Sequence, residues 1–277
     1  MHFIDAHNHL QDERFSGRIE ALATECARVG VRYSAVNGAR PDDWGLVADL
    51  SERYSWVIPN FGVHPWYIER IPQDWERTLC GFLDLIPSGI GETGIDGWRK
   101  EFNQLRQEDI FIRQLAIAAE RNLPISIHGL RRWGRLLDIL RGSRRPECGF
   151  LLHSYGGPTE MIPAFAELGG YFSCPGFFLS PGREMKLSVF RQVPQDRLLI
   201  ETDAPDQNLP ESFDRYLLSH LTERSRINHP ANIAAVYHGI ATLLNRPLET
   251  LCLEIANNFC RLFATVLARR QRDISPQ

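Results

Sequence analysis

The feature that most limits how this chain can fold is a regular alternation. Eight short apolar, β-rich runs recur at 3–6, 31–36, 56–63, 89–92, 124–128, 149–153, 170–174 and 198–202. Helical patterns separate most of them, at 18–29, 41–53, 72–85, 101–121, 132–140 and 158–168, and two more close the chain at 230–244 and 248–268. Gly30 suits the C-cap of the first helix, and Pro41-Asp42-Asp43 suits the first turn of the second. In the longest helix Leu105, Ile112, Leu115, Ala116 and Ala119 define one apolar stripe. Strand and helix in strict turn predict a parallel sheet, and eight repeats predict its closure into a (β/α)8 TIM barrel. An open doubly wound sheet is the alternative, but no glycine-rich phosphate loop follows the first run. With 277 residues and no linker, 1–277 reads as a single barrel domain with a polar tail from about 269.

Composition narrows the function classes. No apolar run reaches the length of a membrane span, so no membrane role is expected. The N-terminus reads directly as a strand, without the basic and apolar segments of a secretory signal. The six cysteines form no CxxC pair and sit mostly among apolar residues, which predicts reduced thiols in a cytoplasmic protein and excludes a thiolate metal site. A net charge of −3 argues against a strong non-specific nucleic-acid binder, while leaving room for an enzyme that meets nucleic acid through local arginines. Nothing in the pattern calls for an obligate protein partner.

The chemistry collects at the ends of the runs. His7 and His9 close the first; two apart on a strand, they share one face. His64 closes the third, Glu92 the fourth, His128 the fifth, His153 the sixth, and Asp203 follows the eighth. A lone histidine after an apolar run is usually a satisfied half-buried residue. Five of nine at strand ends, with two carboxylates, read instead as a metal site, because barrel enzymes build their active sites on that rim. The all-nitrogen-and-oxygen set suits zinc, manganese, magnesium, iron, cobalt or nickel. It is too large for one tetrahedral ion and predicts two divalent ions sharing a carboxylate. Neither Lys100 nor Lys186 ends a strand, so a carboxylated lysine bridge is not available and Glu92 is the expected bridge.

These residues stand in Asp5-Ala6-His7-Asn8-His9-Leu10, Gly62-Val63-His64-Pro65-Trp66, Gly91-Glu92-Thr93-Gly94-Ile95-Asp96, Leu123-Pro124-Ile125-Ser126-Ile127-His128, His153-Ser154-Tyr155-Gly156-Gly157 and Glu201-Thr202-Asp203-Ala204-Pro205. In these ordered motifs, and in Asn228-His229-Pro230-Ala231-Asn232 and Asn257-Asn258-Phe259, the chain resembles the TatD family of metal-dependent hydrolases, among the amidohydrolase-like barrels. The resemblance implies that His7, His9 and Asp203 hold one ion and His128 and His153 the other, with Glu92 between them. It implies deoxyribonuclease activity, or deacylation of charged transfer RNA as in some paralogues, with His64 facing the substrate. The departures fall where substrate is chosen. Gly129-Leu130-Arg131-Arg132 replaces the usual Ser-Arg-Asp, Gly97 precedes Trp98 after Asp96, and Asp206-Gln207 replaces a Tyr-Leu pair. A carboxylate at Asp206 facing the cleft would repel a phosphate backbone.

The expected reaction is hydrolysis of a DNA phosphodiester by a metal-activated water, with Asp203 as general base and Glu92 holding the centre together. His64 and Arg131, from the Arg131–Arg135 group, would hold a substrate phosphate, although a solvated helix face is the plainer reading of those arginines. Trp66 and Trp98 would stack on a base or simply cover the barrel top. The rival readings are hydrolysis of another ester, an amide or a lactone, and a non-catalytic barrel.

Overall fold

In a computed structural model of the chain, residues 1–99, 101–219 and 225–274 are described. Eight parallel strands form one sheet in sequential order: β1 (Phe3–Asn8), β2 (Val31–Asn37), β3 (Val57–Phe61), β4 (Gly89–Asp96), β5 (Ile125–Leu130), β6 (Phe150–Leu152), β7 (Gly170–Pro175) and β8 (Leu198–Glu201). Consecutive order excludes the doubly wound alternative, whose sheet must reverse direction at a switch point. Every residue of β1, β3, β4, β6, β7 and β8 is buried, as strands covered by helices outside and packed side chains inside must be. The helices are α1 (Ile19–Val29), α2 (Trp44–Arg53), α3 (Trp75–Leu85), α4 (Gln104–Arg121), α5 (Trp133–Gly142), α6 (Ile162–Glu167), α7 (Glu184–Ser188), α8 (Ile233–Leu244), α9 (Leu248–Leu262) and α10 (Ala264–Ile274). A two-stranded hairpin, β9 (Leu218–Ser219) with β10 (Arg226–Ile227), sits between β8 and α8. Lys100 and His220 lie outside the described residues.

Side chains close the seam between β8 and β1. Backbone bonds cross it from His9 N to Ala204 O (2.7 Å) and from Asp203 N to His7 O (3.0 Å). Below them the buried Asp5 carboxylate accepts from Thr202 N (2.9 Å), Thr202 Oγ1 (2.6 Å) and Asn8 Nδ2 (2.9 Å). Tyr237 of α8 donates its hydroxyl to Ile4 O and accepts from Ile4 N, satisfying strand groups that would otherwise be buried without partners.

Three expectations are corrected. The buried face of α4 is only partly the expected stripe: Leu115 is buried, but Leu105 is 78% exposed and Ile112 also faces outward, while Gln107, Ile110, Phe111, Gln114 and Ala118 are buried. The glutamines earn their burial by hydrogen bonding. Gln114 accepts from Val63 N (2.8 Å) and donates to Thr93 Oγ1 (2.6 Å), and Gln107 accepts from Asp96 N (2.8 Å), so α4 fixes the ends of β3 and β4. The predicted last helix breaks at Phe263, and its two halves bend by 77°. The polar segment from about 269 is not a tail but the end of α10, where Arg269 donates to Leu83 O. Among the described residues, no single helix is long and apolar enough to cross a membrane.

Candidate metal centre

Glu92 stands at the middle of the site because β4 is pressed between its neighbours. Gly91 (φ +154°) and Gly94 (φ +142°) flank it. A Cβ on Gly94 would lie 2.0 Å from the backbone oxygen of His128, and one on Gly91 would lie 2.6 Å from Asn37 Oδ1. Only glycine allows this approach, which carries the Glu92 side chain to within reach of five imidazoles.

The two oxygens of Glu92 divide those rings. Oε2 faces His7 Nε2 (3.3 Å) and His9 Nε2 (3.1 Å); Oε1 faces His153 Nε2 (2.8 Å), His128 Nδ1 (3.1 Å) and His64 Nε2 (3.4 Å). Asp203 Oδ1 lies 3.7 Å from His7 Nε2 and 3.6 Å from His9 Nε2. Three triads have donor atoms within 4.8 Å of one another: His7-His9-Glu92, His64-Glu92-His128 and His7-His153-Asp203. Thus the fold brings together all six residues expected from the sequence, and His64 with them. His64 was read as a substrate contact, and its position also suits a ligand. Arg131 is exposed at the end of β5 in a left-handed conformation (φ +59°), apart from the donor cluster.

The outer ring nitrogens decide what the inner ones present. His9 Nδ1 donates to Asn37 O (2.7 Å), and His128 Nε2 bonds Asp96 Oδ2 (3.0 Å), so each ring in its neutral form turns a lone pair inward. Those lone pairs point at carboxylate oxygens. His7 Nε2 and His9 Nε2 are 3.3 Å apart, and His153 Nε2 and His128 Nδ1 are 3.4 Å apart. Facing lone pairs repel unless positive charge lies among them. Outer acceptors that orient inward-facing imidazoles are the usual support of a metal site. The donor set therefore fits divalent cations.

The charges of the protein groups show the same demand. Burial pushes His7 down to about 3 and His64 down to about 4. Burial also opposes charge on His9 and His153, but the Glu92 carboxylate outweighs it, lifting His9 to about 9 and His153 well above its ordinary value. Burial resists ionisation of Glu92 in turn, yet the imidazoles hold it well below the usual carboxylate range. Burial pushes the Asp203 carboxyl up to about 7.

Several residues around the centre had no role assigned from sequence. Asp96 orients His128, and Ser126 Oγ bonds His7 Nδ1 (2.8 Å). Glu201, bonded by Ser154 Oγ (2.5 Å) and Ser173 Oγ, sits 3.7 Å from His153 Nδ1. Gln207 donates to Asp203 Oδ2 (2.6 Å) and contacts Ser154 Oγ (2.5 Å). Ser154, Asp203 and Gln207 all have positive φ, so three strained residues hold one another in place. The available signals were a second acid inside a motif for Asp96 and a departure from the family pattern for Gln207. Asp206 does not stand as a free negative charge: Arg14 binds it through two bonds, at 2.8 and 2.9 Å. Arg132 and Arg135 are likewise taken up by buried Glu108.

Comparison with known proteins agrees with this architecture. Residues 4–264 match the family described as TatD related DNase. The uncharacterized metal-dependent hydrolase YcfH of Escherichia coli is 28% identical, over 98% of this chain and 99% of its own length. The 3'-5' ssDNA/RNA exonuclease TatD of Edwardsiella piscicida is 29% identical, over 84% of this chain and 90% of its own. The crystal structure of YjjV, a TatD homologue from Escherichia coli, superposes with a TM-score of 0.85 at 26% identity, covering 95% of this chain and 98% of the other.

Proposed function

The chain belongs to the TatD related DNase family of metal-dependent hydrolases, and on that footing we propose that it hydrolyses phosphodiester bonds of DNA at a two-ion centre. The observation that carries this reading is the division of the Glu92 oxygens between two groups of imidazoles. His7, His9 and Asp203 would hold one ion, and His128 and His153 the other, with Glu92 between them. When bound, divalent ions supply Lewis acidity, polarising a phosphoryl oxygen and acidifying water.

The chain's own residues do the rest. Asp96, Asn37 and Ser126 keep the imidazoles turned inward. Gln207 anchors one oxygen of Asp203, so this carboxylate meets the attacking water in a fixed orientation and takes its proton as general base. His64, beside His128, and Arg131, exposed on the rim, are assigned to the substrate phosphate. The pairing of Asp206 with Arg14 removes the objection that a free carboxylate would repel DNA. All six cysteines are free thiols, which supports a cytoplasmic setting.

The test is hydrolysis by the metal-loaded protein of single-stranded DNA beside a panel of esters, amides and lactones. The proposal expects DNA cleavage that chelation abolishes and Asp203→Asn reduces by about 10² or more, the scale of a lost general base. Ester or lactone turnover without DNA cleavage overturns it.

A further inference from the structure

Above His64 and His128 the rim carries a group that the proposed reaction does not use. Trp66 follows β3, and Trp98, Arg99 and Phe102 follow β4. Asp96 ties them to the centre. Its Oδ2 accepts from Trp66 Nε1 (2.7 Å) as well as meeting His128, and its Oδ1 accepts from Trp98 N (2.6 Å). The Trp66 ring consequently stands edge-on to His64, at 5.1 Å between centroids, and 6.3 Å from His128. The Trp98 ring lies 6.2 Å beyond Trp66 and is 49% exposed.

Arg99 completes the group. Its guanidinium sits 4.7 Å from the centroid of Trp66 and 5.7 Å from those of Trp98 and Phe102. Three other arginines are spent on carboxylates: Arg14 on Asp12 and Asp206, Arg132 and Arg135 on Glu108. Arg99 is held through ring faces, and among the described residues it has no ion-pair partner. A guanidinium docked on aromatic faces keeps its charge, and its N–H donors lie in its own plane, where a phosphate can meet them.

Resting on the reading of the chain as a nuclease, we infer that Trp98 and Arg99 form a subsite for single-stranded nucleic acid. A nucleobase beside the scissile phosphate lies on the exposed Trp98 ring, and Arg99 pairs with a neighbouring backbone phosphate. The indole takes any base, because every base has a π-face, so the subsite selects single strands without selecting sequence. Duplex DNA keeps its bases stacked on one another and gains nothing from Trp98. Asp96 holds the platform and His128 by one carboxylate, so the stacked nucleotide has a fixed position relative to the centre.

The experiment uses the full-length, metal-loaded protein with two probes: a fluorescent single-stranded oligothymidylate, followed by both binding and cleavage, and bis(p-nitrophenyl) phosphate, a diester without a base. In Trp98→Ala the ratio of KM for the oligonucleotide to KM for the base-free diester rises roughly tenfold, the scale of one lost base stack, and Trp98→Phe recovers most of it. In Arg99→Gln the slope of log Kd for the oligonucleotide against log salt falls by about 0.7, one phosphate contact on a single strand. Arg144→Gln, with the same charge change on the turn before β6 at the opposite end of the barrel, leaves that slope as in the wild type. Wild-type cleavage of the oligonucleotide, with both the KM ratio and the salt slope unmoved in the variants, overturns the subsite and leaves the nuclease reading standing. Wild-type binding without cleavage, with the salt slope reduced in Arg99→Gln and Kd for the oligonucleotide raised roughly tenfold in Trp98→Ala, upholds the subsite and overturns the nuclease reading. Neither binding nor cleavage overturns both.

Discussion

Asp5→Ala tests whether the seam between β8 and β1 holds the centre together. Three good hydrogen bonds end on the Asp5 carboxylate, from Thr202 N, Thr202 Oγ1 and Asn8 Nδ2, and a long one at 3.4 Å comes from His7 N. Asp5 is 1% exposed, so water does not replace it. An unsatisfied buried donor costs about 1–3 kcal/mol, and the Thr202 hydroxyl can turn to another acceptor, so the loss comes to about 3–5 kcal/mol. At roughly 2 °C per kcal/mol for a chain of this size, the midpoint of thermal unfolding falls by about 6–10 °C. Asp5→Asn retains one acceptor oxygen but sets an amide against Asn8 Nδ2, and it falls between Ala and wild type. The functional consequence follows from geometry. Asp203 and His7 are joined across the same seam by Asp203 N to His7 O, so the metal content of Asp5→Ala after desalting drops along with its stability. Melting by circular dichroism with elemental analysis of the same sample reads both. An Asp5→Ala protein that melts within about 2 °C of wild type and keeps its full metal content would refute the reasoning, leaving the backbone bonds and strand packing as the seam.

Glu92→Ala removes the group that both sets of imidazoles share, so elemental analysis should show the loss of at least one equivalent of metal; unchanged stoichiometry rejects the bridge. Gln207→Met keeps the length of the side chain but not its amide, and it releases Asp203 Oδ2. A charge-assisted bond of about 1.5 kcal/mol predicts a roughly tenfold fall in kcat with KM nearly constant, and an unaltered kcat sinks the positioning role. His229 tests pH dependence away from the centre. Its Nδ1 accepts from Ala231 N, its ring stacks on Tyr216, and burial lowers it from 6.5 to about 4. The unfolded chain therefore binds the proton first as pH drops. The stability held by the neutral ring is complete above 6.5 and is lost progressively towards 4, by up to about 3 kcal/mol. His229→Asn keeps a capping oxygen and removes the titration, so denaturant curves should weaken less for the variant than for wild type over that range. Parallel pH profiles contradict the assignment.

Much of the barrel could be read in one dimension because its local signals agree. The strands are short and largely apolar, and a strand buried on both faces leaves that run in any sequence. The clustering of the candidate donor residues was legible for the same reason: a barrel puts strand ends on one rim, so position in the run gives position in the site. The α4 stripe was read only in part, because two of the buried positions are held by hydrogen bonding. Gln107 and Gln114 are inside to satisfy backbone groups of β3 and β4, partners to which local periodicity is blind. The end of the chain was misread because Arg269 looks like tail until Leu83 O is beside it.

The sequence by itself determined the repeat, the candidate donors His7, His9, Glu92, His128, His153 and Asp203, and the lack of a strand-end lysine that could take the place of Glu92. These depend on residue type and strand order, which folding does not alter. Only the tertiary structure decided which charges remain available. Arg14 neutralises Asp206, Glu108 consumes Arg132 and Arg135, and Arg99 rests on ring faces with no ion-pair partner among the described residues. Charge availability depends on which partner stands within about 4 Å, and those partners come from parts of the chain far apart in sequence.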